Sequence, residues 1–248
     1  MHAQTSVPGI EEFTALVAIE IDRTRLGIAD GSRRRALASQ LPAGLGLSPA
    51  GMQLLPLLRN MLPDRSVPLD ALRACERYVP DSTYKAAMTE LVTASVVHVD
   101  GSNVALTSRG CDVAREVHNT LAAEVNERWG QEVDFAGLEI LAQRALEVAA
   151  ATGGPSFAVM APPYDPPLST SGSRSAERLA CLRIHRGDAH ADAWASAGLT
   201  VEQIQVLEPG HEREAIERET NRRASGPYEA LTLDERVTFL DSLRGLPS

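Results

Sequence analysis

Apolar positions recur at helical spacing along most of the chain, and one stretch departs from that rhythm. From Leu47 to Val117, three short apolar-periodic segments are followed by VVHV, the turn DGSN, VAL and a fresh helix start at Thr107. Ser48 followed by Pro49 reads as an N-cap and first helical residue, because proline there lacks only a donor that would have no helical partner. Met52, Leu55, Leu58 and Leu62 mark the buried face of this helix, and Pro56 is expected to bend or shorten it. Val67–Arg77 and Asp81–Ala94 predict two further helices around a turn closed by Pro80, the second burying Met88, Leu91 and Val92. Asp100-Gly101 supplies the positive-φ positions that a tight hairpin needs. The resulting order is helix, helix, helix, hairpin, helix.

On either side the pattern is helical throughout. Residues 10–38 predict a helix broken near Gly27–Gly31. Thr107 opens a long amphipathic helix with Val113, Val117, Leu121 and Val125 on one face. A further helix over 135–151 carries Leu138, Leu141, Ala145 and Val148. The stripes in 10–26, 107–129 and 135–151 exceed what one small domain covers, so a homodimer through these helices is expected. Residues 152–175, TGGPSFAVMAPPYDPPLSTSGSRS, are dense in proline, glycine and serine and read as a linker, with FAVM as a strand or packed extended segment. Helices are expected again from Ala176 to Gly198, from Thr200, over the charged run 211–225, and after Thr232 as a cap. The implied organisation is a first domain over 1–151, the linker, and a helical C-terminal domain over 176–248.

Composition narrows the class. With 44% hydrophobic and 23% charged residues the 248-residue chain buries a real core, built from Ala, Leu and Val because aromatics are only 4%. No run approaches the ~18 apolar residues of a membrane span, and the N-terminus lacks a basic region followed by an apolar one, so a cytoplasmic protein with no membrane partner is expected. Cys75, Cys111 and Cys181 are widely spaced with no CxxC, which removes zinc-finger and thioredoxin readings. No GxGxxG, Walker, HExxH or GxSxG motif occurs, so no catalytic residue, cofactor or metal is assigned. The net charge of −9 is uneven: residues 1–120 hold 13 acids and 12 Lys/Arg, and the rest hold 20 and 12. A polyanion would therefore meet the first half, where Arg33, Arg34 and Arg35 are the densest basic cluster.

Three segments, LSPAGMQLLPLL, ALRACERYVPDSTYKAAMTELVTASVV and VALTSRGCDVA, resemble the MarR-type winged helix over about 70 of the 248 residues. Ser95-Val96 stands where that family has a Gly-Val-like step, and Leu106-Thr107 with Gly110 matches its LT-x-x-G approach to the dimerisation helix. The resemblance implies a mainly α fold: a winged helix, made of a helix-turn-helix and a two-stranded wing, with long flanking helices and a smaller helical C-terminal domain. It also implies a homodimeric, ligand-responsive transcriptional regulator that binds double-stranded DNA. Ser82, Thr83 and Tyr84 would contact base edges or phosphates, and Lys85, Arg73 and Arg109 phosphates, with Arg59, Arg65 and Arg77 on the flanks. Two departures favour a rival. The wing HVDGSNV has no Arg or Lys, and Lys85 shares its helix with Asp81 and Glu90. That rival is a winged-helix scaffold that no longer reads DNA and binds a small molecule or carries an enzymatic step.

LRIHRGDAHADAWASAGLTVEQIQVL is similar to the HRGDGH-bearing helix of an actinobacterial helix-turn-helix family. His185, Arg186, Asp188 and His190 are its candidate ligand-binding residues for a small-molecule effector. On a helix His185, Asp188 and Asp192 share one face, a set whose chemistry could also serve a metal. The competing account is structural: Arg186 and Asp188 pair with neighbours, and the histidines make interface hydrogen bonds. Cys181, one turn before His185, reads as an inert thiol in an Ala/Leu-rich setting.

Overall fold

The computed structural model describes residues 8–38, 44–62, 64–130 and 135–247, which are mainly helical with one small antiparallel sheet. Helix α1 (Ile10–Ala38) is continuous, so the expected break near Gly27–Gly31 does not occur. Gly31 serves a close crossing instead. A Cβ there would fall 1.8 Å from a carboxylate oxygen of Glu124 on the helix α1 crosses. Arg35 fastens the same crossing through its Nε, 2.7 Å from Glu124, and a second contact to Glu127. The side chain of Arg33 lies outside the described residues, and Arg34 faces solvent.

Residues 49–129 follow the order the pattern gives, with one addition. Helix α2 (Pro49–Leu58) is capped by the Ser48 hydroxyl, and the Ser48 amide donates to Glu90 Oε2 at 2.9 Å. Pro56 does not break α2, which tightens into one 3-10 turn over Arg59–Met61. Then come β1 (Ser66–Pro68), α3 (Leu69–Cys75), α4 (Asp81–Thr93), β2 (Val97–Asp100), β3 (Asn103–Leu106) and α5 (Ser108–Trp129). The hairpin turns at Gly101 with φ +57. Strand β1 takes residues expected to begin a helix. It pairs with β3, which becomes the central strand, so Pro68 sits at a sheet edge where a missing N–H costs little. On α4, Met88 and Leu91 are buried, but Val92, about 100° further round, is 44% exposed.

Where α4 passes into β2, backbone packing is tight. Ser95 holds φ +56, a conformation that costs a non-glycine residue roughly 1–2 kcal/mol. The Val96 carbonyl next to it lies 1.9 Å from where a Cβ on Gly110 would stand, so α5 can start here only with glycine.

The second half contains α6 (Phe135–Ala149), α7 (Pro155–Met160), α8 (Ser171–Ser196), α9 (Val201–Val206), α10 (His211–Ala224), α11 (Gly226–Glu229) and α12 (Leu233–Gly245). The FAVM segment is helical, in α7, and Phe157, Val159 and Met160 are buried. Thr170 caps α8, so the last residues of the expected linker belong to that helix. The charged run of α10 buries Ile216, Thr220 and Ala224 against α8.

Besides a small cluster of Ala193, Ile204 and Ile216 that packs α9 and α10 on α8, two apolar clusters organise the described elements. One, with Leu58, Leu72, Leu91 and Val104, lies under α2–α5 and the sheet. The larger one joins Phe13 and Val17 of α1, Trp129, Leu138 of α6, Leu179 of α8, and Phe239 and Leu243 of α12. Residues on both sides of 152–175 thus share one core. The stripes of α1, α5 and α6 that motivated a homodimer are covered in part by α8, α11 and α12: Val125, Leu138, Leu141 and Ala145 join the shared core, whereas Ile19 and Leu26 of α1 and Ile140 and Val148 of α6 stay exposed, Val148 against expectation. Among the described residues no helix is long and apolar enough to cross a membrane.

Gly110→Ala is expected to lower stability by about 2–3 kcal/mol, since a methyl group there meets backbone rather than a yielding side chain. Ser95→Gly is expected to raise it by about 0.5 kcal/mol, relieved strain being partly offset by unfolded-state entropy. Denaturant midpoints of the two variants check both signs.

Candidate functional site

Helix α8 carries a buried polar stripe. Glu177, Cys181, His185 and Asp188 fall at i, i+4, i+8 and i+11, hence on one face, and each is at most 4% exposed. The other elements bring partners to them. Arg59 meets Glu177 with both ends of its fork, Nε to Oε1 at 2.8 Å and Nη2 to Oε2 at 3.0 Å. His118 of α5 approaches the same carboxylate at 3.5 Å and stacks edge-on to Tyr164. Burial opposes ionisation of Glu177, but Arg59 and then His118 outweigh it and hold the carboxyl down to about 2. Arg25 of α1, desolvated and facing Arg59, is lowered to about 10. The Cys181 thiol donates to the Met160 carbonyl and burial pushes it up to about 12, which fits an inert thiol.

At the other end of the stripe Asp188 completes the start of α7. Its Oδ2 accepts from the Phe157 amide at 2.8 Å, and a Cβ on Gly154 would lie 2.9 Å from it. The other carboxylate oxygen pairs with Arg77, which also donates to Ser156 Oγ at 2.5 Å and to the Gly187 carbonyl. His185 Nε2 sits 2.9 Å from Thr152 Oγ1, its ring edge-on to Phe157, and burial lowers its pKa. Both residues therefore hold α7, and Asp192 is exposed apart from them. Among the described residues no three His, Cys, Asp or Glu side chains converge as metal ligands.

Arg186 and His190 point the other way, into a cleft of about 280 Å³. Its walls come from α1 (Ile21, Asp22), α3 and the turn after it (Cys75, Arg77, Tyr78), α8 (Arg183, Gly187) and α10 (Glu217). Arg186 Nη2 donates to Glu217 at 2.8 Å and to Asn221 at 3.1 Å, while its buried Nε has no partner. His190 Nδ1 lies 3.2 Å from Thr220 Oγ1, and burial lowers its pKa, so the ring is neutral. The four residues predicted in HRGDAH thus divide into two structural ones and two that line an open site.

The residues predicted to meet DNA are placed less favourably. Ser82, Thr83 and Lys85 are exposed on α4, but Lys85 is paired to Asp81 at 2.6 Å. Tyr84 is 7% exposed with its hydroxyl buried, and burial pushes it up to about 12, so it cannot reach a base edge. Helical spacing places it on the side of Met88 and Leu91, in the core. Arg73 lies over the Tyr84 ring and donates to the Val79 carbonyl, and Arg109 donates to the carbonyls of Ala94 and Gly44. Arg65 donates to five carbonyls, of Asn60, Ala158, Val159, Ala161 and Pro162. Comparison with known proteins gives no match to a family model, a curated sequence or a solved structure.

Glu177 escaped sequence reasoning because a lone Glu on an amphipathic helix reads as solvent-facing. Glu177→Gln leaves Arg59 buried without its counter-charge, and about 3–5 kcal/mol of stability should be lost. Because the folded pKa of Glu177 lies below its ordinary 4.5, the stability it supplies is present above that pH and disappears as pH falls towards 2. Thermal midpoints measured from pH 6 to about 2 should therefore fall more steeply for the natural protein than for Glu177→Gln. Asp188→Ala should likewise cost about 3 kcal/mol by unpairing Arg77 and uncapping α7, read as a lower melting temperature.

Proposed function

We propose that this protein is a winged-helix scaffold that binds a small molecule in the cleft between α1, α3, α8 and α10, and that it does not depend on reading DNA. In this reading the hairpin serves as the wing, the α3–α4 pair as the helix-turn-helix and α5 as the helix after the wing, with α1 as a flanking helix and the helices after 152–175 as the added part. One observation carries the reading. The cations predicted to neutralise phosphates around α4, Arg59, Arg65, Arg73, Arg77, Lys85 and Arg109, have partners within the chain, and of the Arg33–Arg35 cluster Arg35 is paired while Arg34 faces solvent. Each unformed phosphate contact removes one increment of counterion release, so the electrostatic affinity at α4 is low. Arg186 keeps unpaired donor capacity at the cleft, which adjoins the turn leading into α4, so occupancy there bears on the position of α4.

The regulator reading keeps one specific support. The solvent face of α4 carries Ser82, Thr83, Ala86, Thr89 and Thr93, small and mostly hydroxylated side chains that suit a groove. Fluorescence anisotropy on duplex DNA separates the two. The scaffold reading expects binding no tighter than the non-specific range of about 10⁻⁴–10⁻⁶ M and a salt slope unchanged by Lys85→Ala. Binding of a particular duplex near 10⁻⁸ M, with the slope flattened by about one unit in Lys85→Ala, establishes the regulator instead.

A further inference from the structure

The chemistry of the cleft also specifies what it holds, given the reading of it as a binding site. Its two lining carboxylates are engaged: Glu217 accepts from Arg186, and Asp22 from Arg183 at 2.5 Å. The donors are not all used. Arg186 makes its hydrogen bonds through Nη2 alone, so Nη1 is unspent while Nε is buried without a partner, and the Tyr78 hydroxyl only accepts, from Trp194 Nε1 at 3.4 Å. His190 adds one acceptor. The Thr220 hydroxyl spends its proton on the Ile216 carbonyl at 2.8 Å, so His190 Nδ1 must carry the hydrogen directed at Thr220. In a neutral ring Nε2 is then an unprotonated acceptor. Ile21, Ala74 and Leu182 supply an apolar wall.

Gly187 indicates where the ligand lies. It occupies the interior of the 26-residue helix α8, where glycine weakens a helix relative to alanine. Gly31, Gly110 and Gly154 are each explained by an atom that a Cβ would strike, whereas a Cβ on Gly187 would meet nothing within 4 Å. Packing does not require this glycine. Its position leaves open room over the cleft.

We infer that the cleft binds a small hydroxylated organic acid, its carboxylate on Arg186, its hydroxyl donating to His190 Nε2, and its hydrocarbon body over Gly187 against Ile21 and Leu182. A carboxylate of this size satisfies unspent guanidinium donors with charge-assisted hydrogen bonds, and a cleft of about 280 Å³ suits a small molecule.

The test uses the full chain and four probes of one carbon skeleton: 6-hydroxyhexanoate, hexanoate, hexanamide and hexylamine, in thermal-shift and calorimetric titrations. Both acids should raise Tm saturably, the hydroxy acid more tightly, and the amide and amine should not. Gly187→Ala should raise the ligand-free Tm by roughly 2–4 °C yet weaken acid binding at least tenfold, an opposition that a purely structural glycine cannot give. Arg186→Gln should weaken both acids, and His190→Ala should erase the advantage of the hydroxyl. If the amide or amine binds as well as the acids and Gly187→Ala blocks it, the ligand class is overturned while the cleft stands as a site. If neither acid binds up to roughly 10 mM, the class is overturned as well. If any probe binds equally to the natural protein and Gly187→Ala, the site is elsewhere and the reading of the cleft falls with it.

Discussion

The buried pair of Arg59 and Glu177 is the constraint on which the arrangement depends. A carboxylate taken out of water on the central helix α8 is tolerable only with a cation at bonding distance, and that cation comes from the turn after α2. The two-pronged geometry fixes distance and angle together. Asp188 and Arg77 repeat the device about three turns further along the same face of α8. With both ends of the stripe tied, α2, α3 and α8 hold one another in place, and α7 is held between Asp188 at its start and Arg65 at its end.

This use of charge decides what is left for function. Arginines that could have formed a phosphate-binding surface beside α4 instead satisfy carboxylates and carbonyls of the same chain. A positive surface and a set of internal staples draw on the same residues, and a guanidinium whose donors are spent on carbonyls offers little to a phosphate. The cleft escapes that saturation because Arg186 spends one nitrogen on Glu217 and Asn221 and keeps the others. Its wall includes Tyr78, two residues before Pro80 and the start of α4, so a molecule bound there would touch the segment that leads into that helix.

The sequence alone determined the local elements. Ser48 with Pro49, Thr107, Thr200 and Thr232 all precede helices whose amides they cap, and Gly101 of the expected Asp100-Gly101 pair turns the hairpin while Asp100 pairs in the strand, because capping and turn conformation are properties of a few neighbouring residues. Helical periodicity also identified Leu138, Leu141 and Ala145 as core positions. What covers that core, and which polar groups are buried, was decided by tertiary structure. Strand β1 exists only because β3 offers it a partner, and α7 lies in a stretch whose proline and glycine content reads as linker. The roles of the HRGDAH residues also followed from neighbours distant in the chain: Asp188 and His185 were claimed by Phe157 and Thr152, while Arg186 and His190 were left facing a cleft. A side chain's type limits what it can bond to, but its partner depends on long-range packing, which local pattern does not encode.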